Sequence, residues 1–221
     1  MRDSRTIIVT GEDCALMTSV LRQFLAAGDH VAILATGSLS DKITSLGDSS
    51  RLFSHERVDL SSYKVCEQAM LRVVAKWRAI DVVINIGLPP ETPASTFMTT
   101  NKMLESMYSE TTLRMINATR AGLVPLCWRA DGRIINCTAL PSSVEPGTAD
   151  IFQRGIIDFT ETLAEEIKPS GVTANVVVLQ MPANTRKHSL PKVVSEEAIA
   201  DAIFFLASHA ARGVTGSTLR L

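Results

Sequence analysis

The sequence predicts an α/β fold: one Rossmann-like domain over residues 1–221, with a doubly wound sheet of about seven parallel strands flanked by helices. Three observations predict it. Short β-rich runs alternate with amphipathic helical stretches, the pattern of repeated βα units. A chain of 221 residues is the size of a single domain of this kind. Hydrophobic residues make up 46% of it and charged residues 20%, the balance of a chain that buries a core.

The strands are predicted at Thr6 to Thr10, His30 to Ala35, Leu52 to Val58, Asp81 to Asn85, Arg133 to Cys137, Thr173 to Leu179 and Thr218 to Leu221. A helix over Ala15 to Ala27 joins the first two and stops at Gly28, a residue suited to the left-handed conformation. Further helices are predicted over Ser62 to Ala79 and Asn101 to Arg129. After Gly155, the residues Ile156, Phe159, Thr160, Leu163, Ala164 and Ile167 recur at helical spacing and mark a core-facing stripe. Ser195, followed by Glu196 and Glu197, is a cap with acids in the first turn of a last helix.

A net charge of -1 and the lack of any long basic block argue against nucleic acid or an anionic membrane surface as partner. The run Thr6 to Val9 is too short for a signal-peptide core or a spanning helix, so a soluble cytoplasmic protein is expected. Cys14, Cys66, Cys127 and Cys137 are far apart and lack histidines at ligand spacing, which favours free thiols over zinc or disulfides.

Six segments in a fixed order carry a family resemblance. They are Thr10-Gly11 after the first strand, Val58-Asp59-Leu60 after the third, Asp81-Val82-Val83-Ile84-Asn85, Gly132-Arg133-Ile134-Ile135-Asn136, the helix Gly155 to Glu166, and the closing pieces Gly171 to Val176, Phe205 to Ser208 and Val214 to Leu219. Over nearly its whole length the chain resembles the short-chain dehydrogenase/reductase family. The resemblance implies dinucleotide binding at Thr10, Gly11, Asp59, Leu60 and Asn85, and hydride transfer assisted by a serine, a tyrosine and a lysine.

Against that pattern the chain departs in two places. The family's T-G-x-x-x-G-x-G turn reads Thr10-Gly11-Glu12-Asp13-Cys14-Ala15-Leu16-Met17 here, with Met17 set where a glycine allows close approach. Glu12 and Asp13 would repel a diphosphate unless paired or turned outward. The end of the second strand, Ala35-Thr36-Gly37-Ser38, has neither the acid suited to NAD nor the base suited to NADP. The second departure concerns the chemistry. Aligned from Gly155, Ala149 and Gln153 take the tyrosine and lysine positions, and no shift rescues them: no tyrosine follows Tyr108 and no lysine lies between Lys102 and Lys168. The serine position is Ala139, next to Thr138, and the asparagine of the fourth family helix falls at Thr111 or Thr112.

The leading expectation is a pseudoenzyme retained for binding or assembly, with no bound cofactor expected and NAD(P)(H) as the alternative. The resemblance implies a homodimer or homotetramer through the fourth and fifth family helices, here Asn101 to Arg129 and Phe152 to Ile167, or a mixed assembly with an active relative. The other readings are an oxidoreductase with a non-standard site, a non-redox enzyme using the same cleft, and a binder of another small ligand. Cys14 at a helix start and the basic group Arg186, Lys187 and His188 are weighed as a substitute nucleophile and an anion site, against the favoured readings of an inert, partly buried cysteine and a solvated loop.

Overall fold

In the computed structural model, residues 4–46, 51–88, 99–141, 148–181 and 194–221 are described. Among them, seven parallel strands form one sheet in the order β3-β2-β1-β4-β5-β6-β7. They are β1 (Thr6–Gly11), β2 (His30–Ala35), β3 (Phe53–Arg57), β4 (Val82–Gly87), β5 (Arg133–Pro141), β6 (Thr173–Met181) and β7 (Thr218–Arg220). The order reverses direction between β1 and β4, which is the switch point where this architecture opens a crevice at the carboxyl ends of its strands.

Alternation along each strand divides the core into two layers. Ile7 and Val9 of β1 face one side, packed with α1 (Ala15–Ala26) and α7 (Glu196–Leu206) through Leu21, Phe24, Ile199 and Ile203. Ile8 faces the other, packed with α3 (Tyr63–Trp77), α5 (Arg114–Cys127) and α6 (Thr148–Ile167) through Met70, Ala118, Leu163 and Ile167. Both faces are therefore covered, as a parallel sheet requires.

Helix ends follow the local chemistry. Gly28 takes φ +82 just beyond α1, and the Ser195 hydroxyl accepts from the Ala198 N–H at 3.2 Å, so both caps stand where the sequence put them. Three expectations change. A short α2 (Asp41–Thr44) is too brief to show periodicity. Strand β5 continues to Pro141 because it keeps pairing with β6 up to Met181. The single helix expected over Asn101 to Arg129 is interrupted: α4 (Asn101–Tyr108) passes through a π-helical turn, Ser109–Leu113, into α5. There Thr111 bonds back to the Met107 carbonyl at 2.6 Å and Thr112 donates to the Phe152 carbonyl of α6 at 3.2 Å, which hold the turn open.

Candidate functional site

The crevice is built first by the turn from β1 into α1. Gly11 ends β1 at φ +135, and a Cβ there would lie 2.2 Å from the Ile86 carbonyl oxygen of β4. The position tolerates only glycine, for reasons of backbone packing alone. Cys14 then caps α1, its sulfur accepting from the Met17 N–H at 3.5 Å. Burial pushes the Cys14 thiol up from its ordinary range, and the nearby Asp13 and Glu12 push the same way against the Met17 and Leu16 amides. The buried, capping position of Cys14 agrees with the inert cysteine favoured from the sequence over a reactive thiolate.

Met17 is 0% exposed and belongs to the apolar layer between α1, α7 and the sheet, whereas Ala15 is exposed. The third glycine of such a turn serves close packing of helix on strand. Met17 fills that interface with a side chain. The two carboxylates feared at this turn are both engaged: Glu12 faces Arg114 of α5 at 3.3 Å, and Asp13 accepts from the Ser40 N–H at 2.6 Å at the start of α2. The end of β2 is also less neutral than its own residues imply. Arg57, at the end of neighbouring β3, donates through Nε to the Thr36 carbonyl at 3.2 Å and brings a guanidinium there.

Thr10 and Asn85 begin a buried polar ladder across the sheet. Thr10 donates to Asn85 Oδ1 at 2.6 Å, and Asn85 Nδ2 donates to Thr119 Oγ1 at 2.9 Å and Asn136 Oδ1 at 2.7 Å. Asn136 Nδ2 then donates to Thr160 Oγ1 at 2.8 Å, and Thr160 to the Ile156 carbonyl at 2.7 Å. All five side chains are buried, so the ladder ties β1, β4, α5, β5 and α6 together. Asn85 spends both amide hydrogens and its oxygen inside it.

Asp59 and Leu60 lie after β3. Asp59 is exposed and accepts from the Ser61 hydroxyl at 2.6 Å and the Ser61 N–H at 3.0 Å. Those bonds, with the charge of Arg114, hold its carboxyl below the usual carboxylate range. Leu60 is buried, and its carbonyl is held by Asn117 Nδ2 at 3.2 Å.

Beyond the ladder, toward the carboxyl edge of the sheet, lie two buried polar atoms with no hydrogen-bond partner among the described residues. Thr138 is two residues beyond Asn136 on the same face of β5, and Gln153 is two turns before Thr160 on the same face of α6. Among the described residues, Thr138 (0% exposed) and Gln153 (2% exposed) leave Oγ1 and Nε2 without a hydrogen bond. Ala139 beside them is buried, and Thr111 and Thr112 lie buried in the π turn that faces α6. Arg186, Lys187 and His188 lie outside the described residues.

Among the described residues no three His, Cys, Asp or Glu side chains gather as metal ligands, and no helix is long and apolar enough to cross a membrane. The cysteines are free; Cys14, Cys66 and Cys137 are buried and Cys127 is half-buried. Burial raises the Cys66 thiol to about 11.

The short chain dehydrogenase family matches residues 5–190, and the chain belongs to that family. A 3-oxoacyl-[acyl-carrier-protein] reductase from Rickettsia bellii is 27% identical over 98% of this chain and 95% of its own. An acetoacetyl-CoA reductase from Shinella zoogloeoides is 26% identical over 98% and 96%. A short-chain type dehydrogenase/reductase from Mycobacterium ulcerans superposes with a TM-score of 0.85 at 17% identity, over 98% of this chain and 88% of that one.

Several site residues escape a reading of the sequence. Thr119, Asn136 and Thr160 come from three elements, and only their pairing shows that they form one network. Arg57 had a usable signal, since a base closing the strand next to β2 can serve the end of β2.

Proposed function

We propose that this protein is a member of the family that binds rather than reduces: a pseudoenzyme whose fold and crevice persist without the tyrosine–lysine proton transfer. One observation carries the reading. The seam where that pair would stand runs from Thr138 and Ala139 on β5 to Gln153 on α6, and it holds a hydroxyl and a neutral amide. Neither group can deliver a proton to a carbonyl near neutral pH, because acid catalysis needs a group whose pKa can be tuned toward the working pH. Reduction of a 3-oxoacyl thioester requires that proton at the carbonyl oxygen. The test is incubation of the protein with NADPH and acetoacetyl-CoA beside an active family reductase. Oxidation slower than that of the reductase by at least about 10⁴-fold is expected, the upper range for loss of an acid–base group. Turnover within tenfold of the reductase would refute it.

The binding role includes assembly with a second copy or with an active relative through α4, α5 and α6. Tyr108 on α4, Val124 on α5, Trp128 just beyond α5 and Ile151 on α6 support this, since these large apolar side chains are exposed in the single chain. Light scattering of the wild type should give at least twice the chain mass, and Val124→Glu with Trp128→Glu should return it to one chain.

A second reading, dinucleotide binding without turnover, is favoured by Arg57 at the end of β2, by the engaged Glu12 and Asp13, and by Met17 in the core. In that reading Thr10, Gly11, Asp59, Leu60 and Asn85 frame the site, the orphan Gln153 amide donates to the ligand, and the arginine favours NADPH over NADH. Calorimetric titration with both, repeated on Arg57→Ala, decides it.

A further inference from the structure

On the opposite edge of the sheet, at the amino ends of β1, β4 and β5, Arg5, Asp81, Arg129, Asp131, Arg133 and His209 line a cleft of about 320 Å³. We infer that this cleft binds a small oxyanion, a carboxylate or phosphate group, held by Arg133 and Arg129.

Arg133 opens β5 and is only 2% exposed. Its Nη1 donates to the Gly132 carbonyl at 2.9 Å and its Nη2 to Asp131, while its Nε is buried with no partner. A buried charged donor left unpaired is costly, and native structures keep few of them. Thr173 opens β6 as the register partner of Arg133, so the two side chains leave the same face of the sheet. The Thr173 hydroxyl is buried and unpartnered as well. Two unsatisfied polar groups thus sit on adjacent strand starts.

The remaining groups select the sign of the ligand. Arg5 is spent: its Nε and Nη2 hold Asp29 at 3.2 and 2.5 Å, and its Nη1 holds the Ala207 carbonyl at 2.7 Å. Asp81 is engaged by Arg129 Nε at 3.0 Å and the Thr6 N–H at 2.8 Å, and Asp131 by Arg133. Arg129 is half-exposed and keeps both terminal nitrogens uncommitted. The free capacity of the cleft is therefore made of donors, Arg133 Nε and two nitrogens of Arg129, with the buried Thr173 hydroxyl on the neighbouring strand start behind them. Such a set takes an acceptor, and guanidinium favours a planar or tetrahedral oxyanion over a neutral carbonyl. His209 at the rim supplies a further ring nitrogen. The site is separate from the crevice beside Gly11 and stands whether or not a dinucleotide binds there.

The test uses the full chain with inorganic phosphate and with acetate, each against chloride at equal ionic strength, read by calorimetric titration and by thermal midpoint. Phosphate stabilises proteins generally by exclusion, a response that is linear and shared by variants. Binding at the cleft predicts a saturable phase in the wild type that Arg129→Ala weakens about tenfold while leaving the fold intact, since Arg129 is half-exposed. Arg129→Lys should recover part of it, and the ratio of phosphate to acetate affinity tells which group the cleft prefers. A response that never saturates, as expected if a water alone bridges Arg133 and Thr173, overturns the proposal, and so does a saturable phase equal in wild type and Arg129→Ala.

Discussion

The two ends of the same strands are built from different chemistry. At the carboxyl edge, Gly11, Thr138, Ala139 and Gln153 bring a turn, a hydroxyl, a methyl and an amide, with Glu12–Arg114 the ion pair beside them. At the amino edge, Arg5–Asp29, Arg129–Asp81 and Arg133–Asp131 gather three ion pairs. This architecture ordinarily places its ligands at the carboxyl edge. Between the two edges runs the ladder from Thr10 to Thr160, which makes no use of either. The contrast teaches that the interior polar network holds the sheet together independently of the groups at its ends, so either edge can vary in chemistry without loss of the fold.

The largest effect that would break this contrast is expected inside the ladder. Asn85→Ala removes three hydrogen bonds and leaves Thr10, Thr119 and Asn136 buried and short of partners. The expected loss is about 3–5 kcal/mol of unfolding free energy, measured in urea, with Thr10→Val costing about 1–2 kcal/mol because one bond goes and the buried Asn85 Oδ1 loses its partner. A stable Asn85→Ala protein would mean that Asn85 serves the crevice and not the scaffold.

Next come the glycines. Gly11→Ala forces a methyl toward the Ile86 carbonyl at a φ that L residues rarely adopt, and should cost about 3 kcal/mol. Gly155 has open space around its Cβ position within α6, so Gly155→Ala should stabilise by about 0.5–1 kcal/mol. Parallel thermal melts of the two check the pair. Equal shifts would show that the turn after β1 relaxes freely, and would detach Gly11 from the sheet it closes.

The fold was legible because parallel strands and core helices write their burial into local sequence. Ile7, Ile8 and Val9, or Leu163, Ala164 and Ile167, need no partner to be recognised. The site was legible only in part. That no tyrosine follows Tyr108 and no lysine lies between Lys102 and Lys168 is read directly from the sequence, but where Met17 goes is not. Its packing against β1 and α7, the pairing of Asp13 with Ser40, the reach of Arg57 to Thr36 and the π turn at Thr111 all depend on contacts between separate elements. Arg133 was read as part of a strand motif, and its solitary Nε becomes visible only once β5 lies beside β6.

The smallest effect concerns Asp59, where stability and the crevice meet. Its carboxyl is held low by Ser61, first through the hydroxyl and then through the amide, with Arg114 adding to both. A carboxyl whose pKa falls on folding stabilises the native state above its unfolded value, and that contribution fades as the pH drops through the lowered one. Asp59 is exposed, so solvent screening limits the contribution to about 0.5 kcal/mol. Asp59→Asn should therefore be slightly less stable than the wild type at pH 7, and the gap should close in acid below the usual carboxylate range. A gap that stays constant with pH would assign the cost to lost turn geometry and leave the Asp59 charge free for a ligand at the carboxyl edge. A gap that closes would tie that charge to Ser61, and the polarity of the crevice would then rest on Arg57 and Gln153.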